Sequence, residues 1–184
     1  RAALDKMIEE QDYIAMRTYY YNNRLSGVDA FSEYEAVMRY AGNLGDIYMY
    51  LCNTDRYGYW KSEKGLENTI TSMSSDIISL YENPLSSYYK EESVTEEKLA
   101  VISDIRNQAE ALLVTYGGFT SEEAQELKNM SKSRIEDTLR EHLTAIRTER
   151  EAAEAAEESA AEAALDESFS LKAFYEEYFG GDDV

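Results

Sequence analysis

The side chains able to do chemistry are few in kind. Against 37 acids and 16 tyrosines the chain has one histidine, one cysteine and one proline. A lone histidine cannot build a multi-histidine metal site, and Cys52 has no partner for an internal disulfide. Di-iron bundles need a Glu-x-x-His motif on each of two helices; here His142 stands alone, with leucine at position 139. A nucleophilic Cys52–His142 pair conflicts with the place of Cys52 beside an apolar stripe, where an inert buried thiol is expected. The stretch NTDRYGYWKSEK (53–64) offers oxygen ligands and a glycine at calcium-loop spacing. Its twelfth position, however, is Lys64, a cation where a bidentate glutamate is needed, so a plain helix–helix loop is expected. Nucleophile elbows and glycine-rich phosphate loops are absent. Carboxylates and tyrosines remain. Asp46, Asp76 and Asp104 fall mid-helix, where propensity does not favour acids, and are expected to face water. A buried cluster of them beside tyrosine hydroxyls would instead mark an interhelical pocket for a small ligand or a reaction.

The elements that must position these groups are helical throughout. Leu4, Met7, Ile8, Ala15 and Tyr19 repeat at helical spacing over 2–22, with Gln11 and Thr18 interrupting the stripe. Phe31, Tyr34, Met38, Ala41, Tyr48 and Leu51 form a second face. Gly42 and Gly45 lie inside it, each costing about 1 kcal/mol relative to alanine. Small residues at Ala41 and Gly45 predict close approach by a neighbouring helix. A third helix over 63–82 carries Leu66, Ile70, Met73, Ile77 and Leu80 and ends before Pro84. A fourth carries Val101, Ile102, Ile105, Ala109, Leu112, Leu113 and Tyr116, stopped by Gly117-Gly118. Capping-box spacings occur at Ser32/Glu35, Ser93/Glu96, Thr120/Glu123 and Ser133/Glu136. The last two predict a helix start, a kink over 129–132 and a restart. Ile135, Leu139, Leu143 and Ile146 then continue the stripe.

Past Arg147 the pattern changes. Residues 148–167 are almost wholly alanine and glutamate, and residues 148–184 hold 12 acids against two bases. Helix propensity stays high while nothing large faces a core. An unbroken helix over 133–166 would measure about 50 Å, longer than a bundle of 20-residue helices at about 30 Å. Leu171, Phe174, Tyr175, Tyr178 and Phe179 then crowd one short amphipathic segment, which has the form of a docking element. Tyr57, Tyr59 and Trp60, in the loop after the second helix, form a second candidate contact cluster, against the alternative that these rings fold back and cap the core.

The net charge of −19 argues against nucleic acid and against anionic membrane surfaces. No apolar run approaches the ~20 residues of a membrane span. The segments Leu4-Asp5-Lys6-Met7, Met16 with Tyr19-Tyr20-Tyr21, FSEYEAVMRYAGNL (31–44) and GFTSEEAQEL (118–127) resemble helical domains of uncharacterised single-pass membrane proteins from Gram-positive (Firmicutes) bacteria. The resemblance implies an anchor upstream of Arg1 and an extracytoplasmic domain, the alternative being cytoplasmic; it implies no activity.

The expected fold is all-α: an antiparallel up-and-down bundle of four or five helices (1–146), a long Ala/Glu-rich helical extension (147–167) and a short aromatic docking helix (168–184). The expected function is that of a non-catalytic interaction or sensor module without cofactor or metal. Its contacts are Leu171, Phe174, Tyr175, Tyr178 and Phe179, and secondarily Tyr57, Tyr59 and Trp60. The partner is another protein or a second copy. The alternative is a small-ligand-binding or enzymatic bundle using carboxylates and tyrosines.

Overall fold

The computed structural model describes residues 2–24, 35–52, 58–84 and 95–179. Over these the chain is all-α, and helices pack against helices. In chain order they are α1 (Ala2–Glu9), α2 (Tyr13–Arg24), α3 (Glu35–Cys52), α4 (Glu63–Tyr81), α5 (Glu96–Gly117), α6 (Ser121–Glu126), a 3₁₀ turn (Leu127–Asn129) and α7 (Lys132–Phe179). The chain divides into two compact units, 1–144 and 145–184.

The single helix expected over 2–22 is two. The break falls at Gln11, which takes a left-handed φ of 56°, and the Asp12 carboxylate restarts the helix by accepting from the Ala15 amide. α4 follows its expected stripe: Leu66, Ile70, Met73, Ile77 and Leu80 are all buried. Its N-cap is Ser62, whose hydroxyl accepts from the Gly65 amide. α5 begins two residues later than the Ser93/Glu96 spacing predicted. Thr95 is the cap, accepting from the Lys98 amide, while Ser93 lies outside the described residues. The left-handed stop at Gly118 and the Thr120/Glu123 capping box form as expected. The kink expected over 129–132 falls earlier, as the 3₁₀ turn, and the helix restarts at Ser131, whose hydroxyl accepts from the Arg134 amide, rather than at Ser133. The Ser32/Glu35 cap lies outside the described residues.

Within the first unit α3 is central. Val37, every residue from Tyr40 to Ile47, and Leu51 are buried, so this helix is covered all round rather than along one stripe. α2, α4 and α5 pack on it. α4 runs antiparallel to α3, as the pairs Asn43–Ser79 and Tyr40–Glu82 show. It is likewise antiparallel to the start of α7, through Glu67–Arg140 and Ser74–Glu136. On α7, Ile135, Leu139 and Leu143 are buried, as their spacing predicted.

α2 comes unusually close to α3, and two glycines allow it. A Cβ at Gly42 would stand 2.5 Å from the Tyr20 ring, and one at Gly45 would stand 2.7 Å from the Tyr13 carbonyl oxygen and 2.9 Å from the Arg17 amide nitrogen. The small-residue contact is therefore made by Gly42 and Gly45.

In the second unit α7 continues without interruption to Phe179. The aromatic segment is thus the last turns of that helix rather than a separate short one. Residues 151–178 are exposed throughout.

Gly45→Ala tests the close approach. Propensity alone would make alanine stabilising by about 1 kcal/mol, but the added methyl meets backbone atoms that cannot give way. We expect a net loss of about 1–3 kcal/mol in denaturant unfolding. Gly58→Ala, where nothing lies within 4 Å of an added Cβ, should lose nothing.

Candidate functional site

The close packing of α2 on α3 encloses a cluster of ionisable groups. Asp46, expected to face water, is 7% exposed. One of its oxygens accepts from Arg17 Nε at 2.6 Å, and the other accepts from the Tyr21 hydroxyl at 3.0 Å. Arg17 and Tyr21 are four apart on α2 and therefore share a face. From the opposite side α4 presents Asp76, whose carboxyl is hydrogen-bonded to Asp46. One turn away Asn43 donates to the Ser79 hydroxyl at 2.9 Å. Asn43 and Asp46 on α3 thus face Ser79 and Asp76 on α4, each pair three residues apart, in a polar seam through the bundle.

Two adjacent carboxylates in a water-poor seam cannot both be charged at low cost. Burial first, and then the Asp46 charge, hold the Asp76 carboxyl far above the ordinary carboxylate range, while Arg17 opposes the shift only in part. Asp76 therefore keeps its proton and donates it to Asp46. The Tyr21 hydroxyl is pushed up to about 12 by burial and by the Asp46 charge, so it too stays a donor. The arrangement is one carboxylate served by a guanidinium, a phenol and a carboxylic acid. Such a group can hold or release one proton. Both oxygens of Asp46 already accept from groups inside the protein.

A second polar junction closes the end of α4. The Tyr40 hydroxyl donates to the Glu82 carbonyl, and the Arg106 guanidinium donates to the carbonyls of Leu80 and Glu82 at 2.8 and 3.0 Å. These are carbonyls that the helix end leaves without intrahelical partners. The Tyr81 hydroxyl donates to Glu110 at 2.9 Å, and burial followed by that carboxylate raises its pKa.

The residues singled out in the sequence fall in different places. Trp60, expected as a secondary contact, is 1% exposed and belongs to the core rather than to a contact surface. Tyr59 is 43% exposed and its hydroxyl accepts from Asn68; Tyr57 lies outside the described residues. Leu171, Phe174, Tyr175 and Tyr178 are each 54–65% exposed on α7, and the Phe174 and Tyr178 rings lie 4.5 Å apart. Phe179 is the last helical residue. Cys52 is a half-buried thiol. His142 stacks on Phe119 at 3.9 Å and sits 3.1 Å from Glu123, the residue that closes the α6 capping box. Asp104 is exposed and accepts from Gln108.

Arg17 and Tyr21 gave no signal of their own in the sequence. Asp76 did: it lies three residues after Met73 and four before Leu80, inside the apolar stripe of α4. Among the described residues, no group of three or more His, Cys, Asp or Glu side chains is placed to hold a metal ion. Comparison of the chain with protein-family models, curated proteins and solved structures returned no match.

The shared proton has a direct consequence for stability. The folded pKa of Asp76 lies above its unfolded value of 3.8, so its favourable contribution is complete below that pH and is lost as pH rises toward about 9. Asp76→Asn keeps a donor for Asp46 and abolishes the titration. We expect the stability of this variant relative to wild type to rise across that window, with a slope of at most about 1.4 kcal/mol per pH unit, the limit for one proton. A difference that stays constant with pH in chemical denaturation would mean that no proton is shared.

Proposed function

We propose that this chain is a non-catalytic interaction module whose partner-binding element is the aromatic end of α7. The observation that carries this is the stripe Leu171, Phe174, Tyr175 and Tyr178. At i, i+3, i+4 and i+7 these residues fall within an arc of about 100°, and all four are exposed. Contiguous exposed apolar side chains on a helix are the form taken by segments that lie in the groove of another protein. Aromatic anchors carry much of the affinity in such contacts. Leu165 and Phe169 are also more than half exposed but lie on the other side of the helix, outside the stripe. Among the described residues no helix is long and apolar enough to cross a membrane, which is consistent with a protein-binding rather than a membrane-spanning role for this helix.

The second reading, a ligand-binding or enzymatic bundle, draws support from the Asp46–Asp76–Tyr21 cluster, a buried carboxylate pair beside a tyrosine hydroxyl. Against it, the grooves along α5 are lined by other residues. The cluster instead joins α2, α3 and α4, and its donors and acceptors serve one another. The interaction reading is therefore preferred.

Leu171→Glu with Phe174→Glu in the full chain tests the reading. If the stripe serves a partner, the variant keeps its helicity and its unfolding free energy to within about 0.5 kcal/mol, as surface changes do. Any self-association of the parent, followed by light scattering over a concentration series, is abolished. A large fall in melting temperature would place these side chains in the chain's own core and end the proposal.

A further inference from the structure

Where α2, α3 and α5 meet, three tyrosines line one pocket of about 370 Å³: Tyr13 from α2, Tyr48 from α3 and Tyr116 from α5. The Tyr13 and Tyr48 rings stand 5.0 Å apart with 33° between their planes, so they touch and share one aromatic surface. Tyr116 is 46% exposed. Gln11, Asn107 and Thr115 line the same pocket and are exposed, which places two amides and a hydroxyl around the rings. Among the described residues that line it, none carries a charge.

Gln11 is the unusual member of this set. Its φ of 56° is left-handed, and among the described residues no other non-glycine residue takes a positive φ. Glycine adopts that conformation without penalty, and glutamine does not. For the turn between α1 and α2 alone, glycine would serve better. The side chain that stands there instead lines the tyrosine pocket, and backbone strain of this kind gathers where a side chain is needed for binding. Burial, followed by the neighbouring Cys52 and Asp104, raises the Tyr13 hydroxyl above its ordinary range, so Tyr13 offers a neutral phenol.

We propose that this pocket binds a neutral sugar, with the pyranose ring laid on the tyrosines and its hydroxyls held by Gln11, Asn107 and Thr115. The chemistry of the lining selects this class. A phosphate or carboxylate ligand meets no cation in the lining and is repelled by the net charge of −19. A cationic ligand meets rings but no carboxylate in the lining to pair with. A purely apolar ligand strips water from two amides and a hydroxyl without replacing their hydrogen bonds. A sugar answers each demand. Its C–H face suits the negatively polarised faces of the tyrosine rings. Its hydroxyls both donate and accept, as the amide side chains do. The volume lies at the small end of ligand sites, which run from about 300 to 1,000 Å³, and suits a monosaccharide or disaccharide. This site belongs to the first unit, uses neither Asp46 nor Asp76, and does not depend on the stripe of α7.

Saturation-transfer NMR on the full chain tests this, with the methyl glycosides of glucose, galactose, mannose and N-acetylglucosamine as probes. At least one should bind with a Kd of about 1 mM or tighter, and the strongest transfer should reach the C–H protons of one ring face. Tyr116→Ala should weaken that binding by about fivefold and Asn107→Ala by about threefold. Both positions are exposed, so folding is not at risk. Tyr59→Ala removes an exposed tyrosine outside the pocket and should leave binding within about twofold. Gln11→Gly separates a ligand contact from a structural role: the melting temperature should hold or rise, because glycine suits the left-handed backbone, while binding weakens by about threefold. The proposal is overturned if none of the four glycosides shows transfer at about 10 mM, if Tyr59→Ala weakens binding as much as Tyr116→Ala, or if Gln11→Gly binds as the parent does. It is also overturned if adenosine or tetramethylammonium displaces the glycoside at a lower concentration than the glycoside itself requires, which would make the site one for a base or an organic cation.

Discussion

Most of this structure follows from one constraint: α3 is buried on every side and yet carries Asn43 and Asp46. A helix on the edge of a bundle can turn its polar residues to water. A central one cannot, so each polar group must find its partner on a neighbouring helix. Asn43 finds Ser79, and Asp46 finds Arg17, Tyr21 and Asp76. Those partners set the register of α2 and α4 against α3. Gly42 and Gly45 are the condition for this, since with side chains there Arg17 could not come within 2.6 Å of the carboxylate. The helix gives up propensity at two positions and gains an approach close enough to neutralise a buried charge.

Desolvating a charge inside a bundle costs several kcal/mol, and the usual result is that one of two adjacent acids keeps its proton. Here the division is set by access to Arg17. Asp46 receives the guanidinium directly; Asp76 feels Arg17 less than it feels burial and Asp46, and its carboxyl is held far above the ordinary range. The pair resembles a catalytic dyad in composition, but a dyad that works needs a free oxygen turned to a cavity. In this bundle the Asp46 carboxylate is engaged by Asp76 and by Arg17 and Tyr21 of α2, and the grooves described along α5 and beside α2 are lined by other residues.

Much of the fold was legible in the sequence because its evidence is periodic. The stripes of α4 and of the start of α7 are buried where their spacing placed them, and Gly118 stops α5 with a left-handed residue where a glycine pair marked the end. What was not legible depends on contacts between segments far apart in the chain. Nothing local to Asp46 tells that Arg17, 29 residues earlier, will cover it. Asp76 was the partial exception, an acid in a stripe position, and the stripe was the better guide than the preference of acids for water. Trp60 shows the opposite error. A loop position and an amphipathic ring favoured a surface role, but its large apolar area made burial the stronger term. The break at Gln11 was marked only by a polar residue in the stripe; its left-handed backbone could not be inferred from residue type, since glutamine rarely takes it.

The second unit obeys a different rule. No core supports residues 151–178, yet they are helical. Alanine supplies the reason, because it loses no side-chain entropy on entering a helix, and the segment is long enough for propagation to outweigh nucleation. The glutamates do not help: Glu154 and Glu158, then Glu158 and Glu162, are like charges one turn apart. Their role is to keep an alanine surface hydrated and free of adventitious contact, so that the apolar side chains gather at the far end. If the stripe binds as proposed, a helix that forms on its own has already met the cost of ordering its backbone. More of its contact energy is then available as affinity than a disordered tail of the same composition could deliver.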